Sequence, residues 1–194
     1  MMCIAIFQLK LVTVSEKQYI NHTYLVLRDI PLQIGEFVHT RSNMKIPDDG
    51  GKKIYSVNEG NSIHWDRAIQ SAVQYFKNAT KPYSARYVGS MVADIHRTLL
   101  YGGIFMYPAD RKSPSGKLRC LYEGIPMAMI IEQAGGVAST GYFESKIRRI
   151  LDLVPASIHC RCPIVMGSKR DVQVVYDMYR KEMGITNVPV MGVE

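Results

Sequence analysis

The chain has 194 residues, of which 47% are hydrophobic and 21% charged, and its formal net charge is +7. This composition excludes a disordered or fibrous protein and fits one globular domain with a sizeable core. The four cysteines are too few and too unevenly spaced for a disulfide framework in a chain of this length. No stretch approaches the roughly 20 consecutive apolar residues that a membrane-spanning helix needs. We therefore predict an intracellular protein with no membrane partner.

The positive charge favours an anionic partner, and phosphorylated metabolites, nucleic acid and acidic surfaces all fit it. The longest basic clusters are Lys52-Lys53 and Arg148-Arg149, each too short for a nucleic-acid-binding arm. No aromatic residues interleave with the positive charges, and no nucleic-acid-binding motif is present. We therefore expect no nucleic-acid partner.

The first part of the chain predicts strands. Residues 1–28 give a weak strand signal that includes the apolar run 24–27. Residues 34–38 and 53–57 look like strands and flank the turn-rich segment 47–51, which predicts a hairpin with a long loop.

Two helices follow. From Ser62 the apolar residues recur every three or four positions, which predicts an amphipathic helix. Its buried face consists of Trp65, Ile69, Ala72, Val73 and Phe76. A second helix is predicted over about 89–101, with Val92, Ile95 and Leu99 on one face, and the pair Gly102-Gly103 ends it.

The second half alternates strands and helices. The predicted elements are a strand over 104–107, a polar loop over 108–116, a strand from Lys117, a helix over 126–134 stopped by Gly135-Gly136, and strands over 137–140 and 163–167. Ser168 is expected to cap a last helix, with Asp171 completing a near-capping box. The buried stripe of that helix is Val172, Val175, Tyr179 and Met183. The alternation predicts an α/β fold, a layered mixed β-sheet flanked by helices.

Residues 117–123 place two cations and a carboxylate close together. On a strand, Lys117 and Arg119 point to one side while Leu118 points into the core. Glu123 follows just before Pro126, which fits the first turn of a helix. Two cations suit an anion, and a carboxylate beside a phosphate suits a hard cation such as Mg²⁺. The alternative is a surface strand on which Arg119 simply pairs with Glu123.

Four segments, residues 54–60, 85–94, 101–108 and 116–119, resemble fructose-1,6-bisphosphatase in sequence and in order. The resemblance covers the C-terminal, substrate-binding half of that enzyme. It implies a divergent N-terminal segment over 1–28, a domain of the sugar phosphatase fold over 29–184 and a tail over 185–194. It also implies hydrolysis of the 1-phosphate of fructose 1,6-bisphosphate to fructose 6-phosphate in gluconeogenesis, with Mg²⁺, Mn²⁺ or Zn²⁺, by a cytoplasmic homotetramer.

The resemblance also implies roles for particular residues. Asn58 contacts the 6-phosphate, and the hydroxyls of Tyr87 and Tyr107 bind the same group. Arg86 reaches across a subunit boundary to the 6-phosphate of the neighbouring protomer, and Glu123 is a metal ligand. Lys117 and Arg119 face the sugar and the 1-phosphate. The full set of implied substrate-binding residues is Asn58, Glu59, Gly60, Asn61, Arg86, Tyr87, Val88, Gly89, Ser90, Met91, Tyr107, Lys117, Leu118 and Arg119.

The sequence departs from the family at two points. Asn61 stands where the family usually has a tyrosine, which removes one hydroxyl from the 6-phosphate site. The family's acidic Asp-Pro-Ile/Leu-Asp-Gly-Ser/Thr motif, which supplies metal ligands, has no match in this chain. We therefore expect these 194 residues alone to be inactive, as a fragment, an isoform or a gene model with a replaced N-terminus.

Two alternatives stand beside this interpretation. A sedoheptulose-bisphosphatase-like enzyme would use the same phosphate-binding residues. A non-catalytic interaction subunit would join full-length protomers through the region of Arg86 without turning over substrate.

Overall fold

The computed structural model describes residues 23–26 and 37–187, with side chains from residue 41 onward. Within these residues the strands are β1 (Thr23–Val26), β2 (Phe37–Arg41), β3 (Ile54–Ser56), β4 (Ser84–Ala85), β5 (Ile104–Tyr107), β6 (Leu118–Arg119), β7 (Val137–Phe143), β8 (Lys146–Arg149), β9 (Arg161–Cys162) and β10 (Ile164–Gly167). The α-helices are α1 (Arg67–Asn78), α2 (Met91–Tyr101), α3 (Ile125–Gln133) and α4 (Lys169–Met183). Among the described residues, no helix is long and apolar enough to cross a membrane.

The centre is a six-stranded mixed sheet in the order β4-β3-β5-β10-β7-β8. β3 lies parallel to β4 and β5, whereas β10 runs antiparallel to β5 and β7. One hydrophobic cluster packs α1 and α4 against the sheet, and a second cluster contains the buried residues of α2 and α3. The prediction of a layered mixed sheet flanked by helices is confirmed.

The predicted hairpin between residues 34–38 and 53–57 is wrong. β2 pairs with β1, and β3 is bordered on both edges by β4 and β5, so it has no free edge for β2. The segment between β2 and β3 contacts the end of α2 instead, where the Lys52 N–H donates to the Tyr101 carbonyl oxygen over 2.7 Å. The predictions for residues 1–22, 27–36 and 188–194 lie outside the described residues.

The first predicted helix begins later than the spacing of its apolar residues suggests. Residues Glu59–His64 form a 3-10 turn, and α1 starts after Asp66, whose Oδ1 accepts the Ile69 N–H over 2.8 Å. Trp65 lies between the two and is buried, so its assignment to the core is confirmed. Gly102 and Gly103 end α2 as predicted, and a side chain on Gly103 would collide with the carbonyl of Ile54 in β3.

The capping box predicted for α4 is also wrong. Ser168 is the N-cap residue, but its hydroxyl accepts the Gly103 N–H over 2.9 Å and makes no cap hydrogen bond. Asp171 is fully buried and accepts a hydrogen bond from the Tyr83 hydroxyl over 2.8 Å. Both side chains therefore join α4 to other elements. Met183 is 38% exposed and leaves the predicted stripe, in which Tyr176 is buried instead.

Three short strands have no counterpart in the sequence-based prediction. β4 and β9 are two residues each, and β8 is the charged segment Lys146–Arg149 at the edge of the sheet. Segments this short or this polar do not show the alternation of apolar residues by which strands are recognised.

Candidate functional site

The ends of β5, β6 and β10 lie close together. Tyr107, the last residue of β5, is the register partner of Ile164 in β10. Two residues before Ile164, Cys162 pairs with Leu118 of β6. Gly116 packs closely against the junction of β9 and β10, since a Cβ at Gly116 would lie 2.5 Å from the backbone nitrogen of Pro163. One continuous segment, β9 and β10, therefore connects Tyr107 to the strand that carries Leu118 and Arg119.

Asn58 lies just beyond the end of β3, at the start of a 3-10 turn. Its Oδ1 accepts the Gly60 N–H over 3.3 Å, and its side-chain NH₂ makes no hydrogen bond within the described residues. Asn58, Asn61, Tyr107 and Asp110 line one shallow surface depression, which we call the asparagine cleft. Oδ1 of Asp110 accepts the N–H groups of Lys112 and Ser113. The cleft thus presents neutral hydrogen-bonding side chains beside one carboxylate that the backbone already binds.

Glu59 points away from this cleft. Its carboxylate accepts a hydrogen bond from the Tyr55 hydroxyl over 2.7 Å and forms an ion pair with Lys77. Partial burial alone would raise the pKa of Glu59, but the hydrogen bonds from Lys77 and Tyr55 outweigh it and hold the pKa below its usual value. The side chain of Glu59 therefore joins the 3-10 turn to β3 and α1, and ligand contacts of its backbone and that of Gly60 stay a prediction.

The segment 86–91 is exposed but held by several hydrogen bonds, since the Arg86 N–H donates to the Tyr55 carbonyl oxygen over 2.9 Å and the Arg86 carbonyl oxygen accepts from Arg97 over 2.8 Å. Val88 is 64% exposed, yet its N–H donates to both carboxylate oxygens of Asp94 over 3.2 Å. Gly89 adopts φ of +84°, a conformation that favours glycine, and Ser90 and Met91 lead into α2. The segment is therefore a turn that Asp94 holds at Val88, while Tyr55 and Arg97 hold it at Arg86.

Asp94 is the residue at this site that sequence reasoning missed. It is fully buried, accepts a hydrogen bond from the Ser56 hydroxyl over 2.9 Å and pairs with Arg97 over 2.6 Å. The only signal in the sequence was a carboxylate next to Ile95, on the apolar face of a predicted helix. Buried carboxylates need several partners, and here one of them is the backbone of the segment 86–91.

Tyr87 and Tyr107 face the same region. Burial raises the pKa of Tyr87, and the proximity of Tyr107 and Asp94 raises it further. Its hydroxyl therefore stays protonated at neutral pH and is able to donate a hydrogen bond. Tyr87 is 38% exposed and Tyr107 is half-buried, so both are within reach of a ligand.

Arg86 lies elsewhere. Its guanidinium donates to the Ala85 carbonyl oxygen over 2.8 Å and lines a separate cavity of about 550 Å³ that shares no lining residue with the asparagine cleft. The reach of Arg86 to the 6-phosphate of a neighbouring protomer stays a prediction.

The segment 117–123 is held by Glu123. The Arg119 N–H donates to Oε2 of Glu123 over 2.5 Å, and the Arg119 guanidinium is 4.0 Å from the same oxygen. Glu123 lies in a π-helical turn, Cys120–Gly124, which precedes α3 rather than forming its first turn as predicted. Lys117 is exposed, while Leu118 packs against the second hydrophobic cluster.

Glu123 is the one site residue predicted to bind a metal, and this role stays a prediction. Its Oε1 accepts no hydrogen bond within the described residues, so one oxygen is available to a cation. No group of three or more histidine, cysteine, aspartate or glutamate side chains lies together in residues 41–187 in a way that could hold a metal ion. The described carboxylates therefore do not fit a complete metal site.

Comparison with known proteins gives a consistent result. Residues 46–180 match the family model described as the C-terminal domain of fructose-1-6-bisphosphatase. The chain is 54% identical over 152 residues to the cytosolic fructose-1,6-bisphosphatase of Solanum tuberosum and 55% identical over 152 residues to that of Brassica napus. A crystal structure of fructose-1,6-bisphosphatase from Leishmania major in holo form is similar, with 45% identity and a TM-score of 0.72.

These similarities cover most of this chain but less than half of each relative. The two plant matches include 77% of this chain and 43% of the plant enzymes, and the Leishmania match includes 81% and 46%. The chain therefore spans less than half the length of the relatives it matches. With its family model matched over residues 46–180, the chain belongs to the fructose-1,6-bisphosphatase family and contains that family's C-terminal domain.

Proposed function

We propose that this chain forms the sugar-phosphate-binding half of a fructose-1,6-bisphosphatase, which hydrolyses the 1-phosphate of fructose 1,6-bisphosphate to fructose 6-phosphate. The observation that carries the proposal is the convergence of Tyr107, Asn58 and the segment 117–119 at neighbouring strand ends. Neutral donors lie at one end of this region and cations at the other. A sugar bisphosphate needs two such separated anion sites.

The two ends suit different tasks. Tyr87, Tyr107 and Asn58 offer hydrogen bonds that orient a phosphate which stays attached to the sugar. Lys117 and Arg119 offer positive charge. Their attraction to the 1-phosphate grows as negative charge develops on it during hydrolysis. We assign the 6-phosphate to the first end and the 1-phosphate to the second.

We assign the metal ion to the end of the site that carries Lys117, Arg119 and Glu123. Glu123 would contribute one carboxylate to a divalent cation such as Mg²⁺, and that cation would supply charge to neutralise the phosphate during its transfer. The remaining ligands would come from acidic residues outside the described part of this chain. We propose further that the protein acts in the cytosol, in gluconeogenesis, and as a tetramer in which Arg86 reaches a neighbouring protomer.

Binding of fructose 6-phosphate and fructose 1,6-bisphosphate to residues 1–194, measured by calorimetry without metal, tests the substrate-binding half. We expect both sugars to bind and Lys117→Ala to weaken fructose 1,6-bisphosphate more than fructose 6-phosphate. Lys112→Ala, an exposed lysine in the preceding loop, is the matched control and should change neither affinity. Absence of binding by either sugar would contradict the proposal.

Phosphate release from fructose 1,6-bisphosphate with Mg²⁺ tests the metal end. We expect residues 1–194 to show no turnover above the rate in buffer, because one metal carboxylate does not hold the ion and orient water. Turnover comparable with that of a full-length member of the family would show that the missing ligands lie within this chain. Sedoheptulose 1,7-bisphosphate serves as the competing substrate in the same assay.

A further inference from the structure

Three cysteine side chains lie together beside the segment 117–123. β6 and β9 are antiparallel, and Leu118 pairs with Cys162. The same register, continued two positions beyond Leu118, sets Cys120 opposite Cys160. The Cys120 N–H donates to the Cys160 carbonyl oxygen over 2.8 Å, so the pairing does continue past both strands. All three thiols are free, and all three belong to the second hydrophobic cluster or pack against it.

The positions of Cys120 and Cys160 fit a disulfide. Directly opposed residues that share a backbone hydrogen bond in an antiparallel pair have Cα atoms about 5.5 Å apart. The Cα atoms of a disulfide are also usually about 5.5–6 Å apart, so the backbone can accept the bond where it stands. The Cys120 thiol is in addition hydrogen-bonded to the Cys160 thiol. The two sulfur atoms are therefore already neighbours.

The two thiols differ in their access to solvent. Cys120 is 3% exposed, whereas Cys160 is half-buried and directly follows the exposed residues 156–159. Burial raises the pKa of Cys120, and the proximity of Cys160 raises it further, although a hydrogen bond from Cys162 lowers it. Because an accessible thiolate is the reactive form, Cys160 is the thiol that an external reagent meets first.

Cys162 is placed for packing. It is 1% exposed, and its Sγ lies so close to Gly124 that a Cβ there would be 3.0 Å away. Burial raises the pKa of Cys162 far above that of an ordinary thiol. Its register partner is Leu118, whereas Cys120 has Cys160 opposite it. Cys162 therefore serves as an internal comparison for the other two thiols.

We propose that Cys120 and Cys160 form a site of reversible disulfide modification, which a small-molecule disulfide such as oxidised glutathione oxidises. The Cys160 thiolate attacks one sulfur of oxidised glutathione, forms a mixed disulfide and releases one glutathione thiolate. Cys120 then gives up its proton and attacks the Cys160 sulfur, which forms the protein disulfide and releases the second glutathione. Two protein thiols are oxidised, one glutathione disulfide is reduced to two thiols, and these take up the two protons.

The bond would join the segment 117–123 to the segment 159–162. The hydroxyl of Tyr122 is already hydrogen-bonded to Nδ1 of His159 over 3.0 Å, so oxidation would add a covalent link to an existing contact between these segments. The first segment carries the residues assigned to the 1-phosphate, and the disulfide would restrict its motion. The chemistry itself does not rest on the proposed hydrolysis.

Oxidised glutathione is the probe, and peptide mapping by mass spectrometry without reductant locates each bond in residues 1–194. All samples carry Cys3→Ser, which removes the one cysteine outside the described residues. We expect a link between Cys120 and Cys160, release of two glutathione thiols per chain, and slower hydrogen exchange in β6 and β9. Dithiothreitol should reverse all three changes.

Single variants separate the two steps. Cys120→Ser should stop the reaction at the mixed disulfide between Cys160 and glutathione. Cys160→Ser should abolish the reaction of the folded chain. Cys162→Ser is the matched control and should still form the link, and circular dichroism verifies that the variants fold.

Three results would overturn the proposal. A mixed disulfide on Cys160 that persists while Cys120 is present would show that Cys120 is not the second thiol. A link that contains Cys162 in place of Cys120 or Cys160 would assign the reactive pair differently. Oxidation in urea but not in the folded chain would show that the reagent does not reach Cys160 in the native structure.

Discussion

Two carboxylates hold two exposed segments of this protein in different ways. Asp94 holds the segment 86–91 from inside the core, where it is fully buried and bonded to Ser56, Val88 and Arg97. Glu123 holds the segment 117–123 from near the surface, with its side chain 28% exposed and one oxygen without a hydrogen bond in the described residues. Both oxygens of Asp94 accept hydrogen bonds within the fold, whereas only one oxygen of Glu123 does so among the described residues.

The two segments also differ in the residues they present. The segment 86–91 carries one cation, Arg86, and the hydroxyl of Tyr87, whose pKa is raised by burial and by the proximity of Tyr107 and Asp94. The segment beside Glu123 is open to water, where Lys117 and Arg119 are solvated at little cost until an anion binds. Under the proposed function, Tyr87 would orient the 6-phosphate, and Lys117, Arg119 and Glu123 would serve the 1-phosphate and its metal ion.

Removing the buried carboxylate should have the largest effect. Asp94→Ala leaves Arg97 partly buried without its partner and leaves the Val88 N–H without an acceptor. We expect the free energy of unfolding to fall by about 3–5 kcal/mol, the usual cost of breaking a buried ion pair. Urea denaturation measures the change, and hydrogen exchange should show faster exchange at residues 86–91. Asp177→Ala, in an exposed pair on α4, is the control and should change stability by less than about 0.5 kcal/mol. An equal loss of stability in the two variants would contradict the role of Asp94 in holding the segment 86–91.

Substitutions in the second segment should change ligand affinity more than stability. Arg119→Ala removes a charge-assisted hydrogen bond, and we expect fructose 1,6-bisphosphate to bind about 10–100 times more weakly in metal-free buffer. Glu123→Gln removes a negative charge beside Arg119, so affinity in the same buffer should stay constant or increase. Calorimetry distinguishes these two directions. Weaker metal-free binding by Glu123→Gln would mean that Glu123 acts chiefly by fixing the position of Arg119.

Glu59, a third carboxylate, provides a pH test. Its side chain is 34% exposed, and its pKa is lowered in the folded protein from a reference value of 4.5 because the hydrogen bonds from Lys77 and Tyr55 outweigh the effect of burial. The lowered pKa stabilises the fold above about pH 4.5, and this contribution is lost as the pH falls through the folded value. Glu59→Gln should therefore reduce the decline in the unfolding free energy below pH 4.5. An identical decline in the variant and the parent chain would exclude a role for Glu59.

The sequence predicted the helices, the central strands and the site segments, because apolar periodicity and glycine-ended helices are local signals. It did not predict the partner of β2, since strand pairing depends on which edges other strands occupy. The role of Asp94 was hidden for a similar reason: its partners Ser56 and Val88 lie 38 and 6 residues away in the chain. The proximity of Arg119 and Glu123 was predicted by spacing, but only the structure distinguishes the backbone hydrogen bond from the longer ion pair.

The smallest expected effect concerns Asn61, at a position where the resemblance to the family implies a tyrosine. Asn61 lines the asparagine cleft with Asn58 and Tyr107 and is only partly buried, so a larger side chain has room to extend into solvent. Asn61→Tyr adds one neutral hydroxyl near the phosphate, and one such hydrogen bond contributes about 1 kcal/mol, or roughly fivefold in affinity. Calorimetry should therefore show tighter binding of fructose 6-phosphate by Asn61→Tyr, while Asn61→Phe, which has the ring without the hydroxyl, should show none of the gain. Equal gains for the two variants would assign the effect to packing of the ring, and the neutral end would then bind through shape rather than through directed hydrogen bonds.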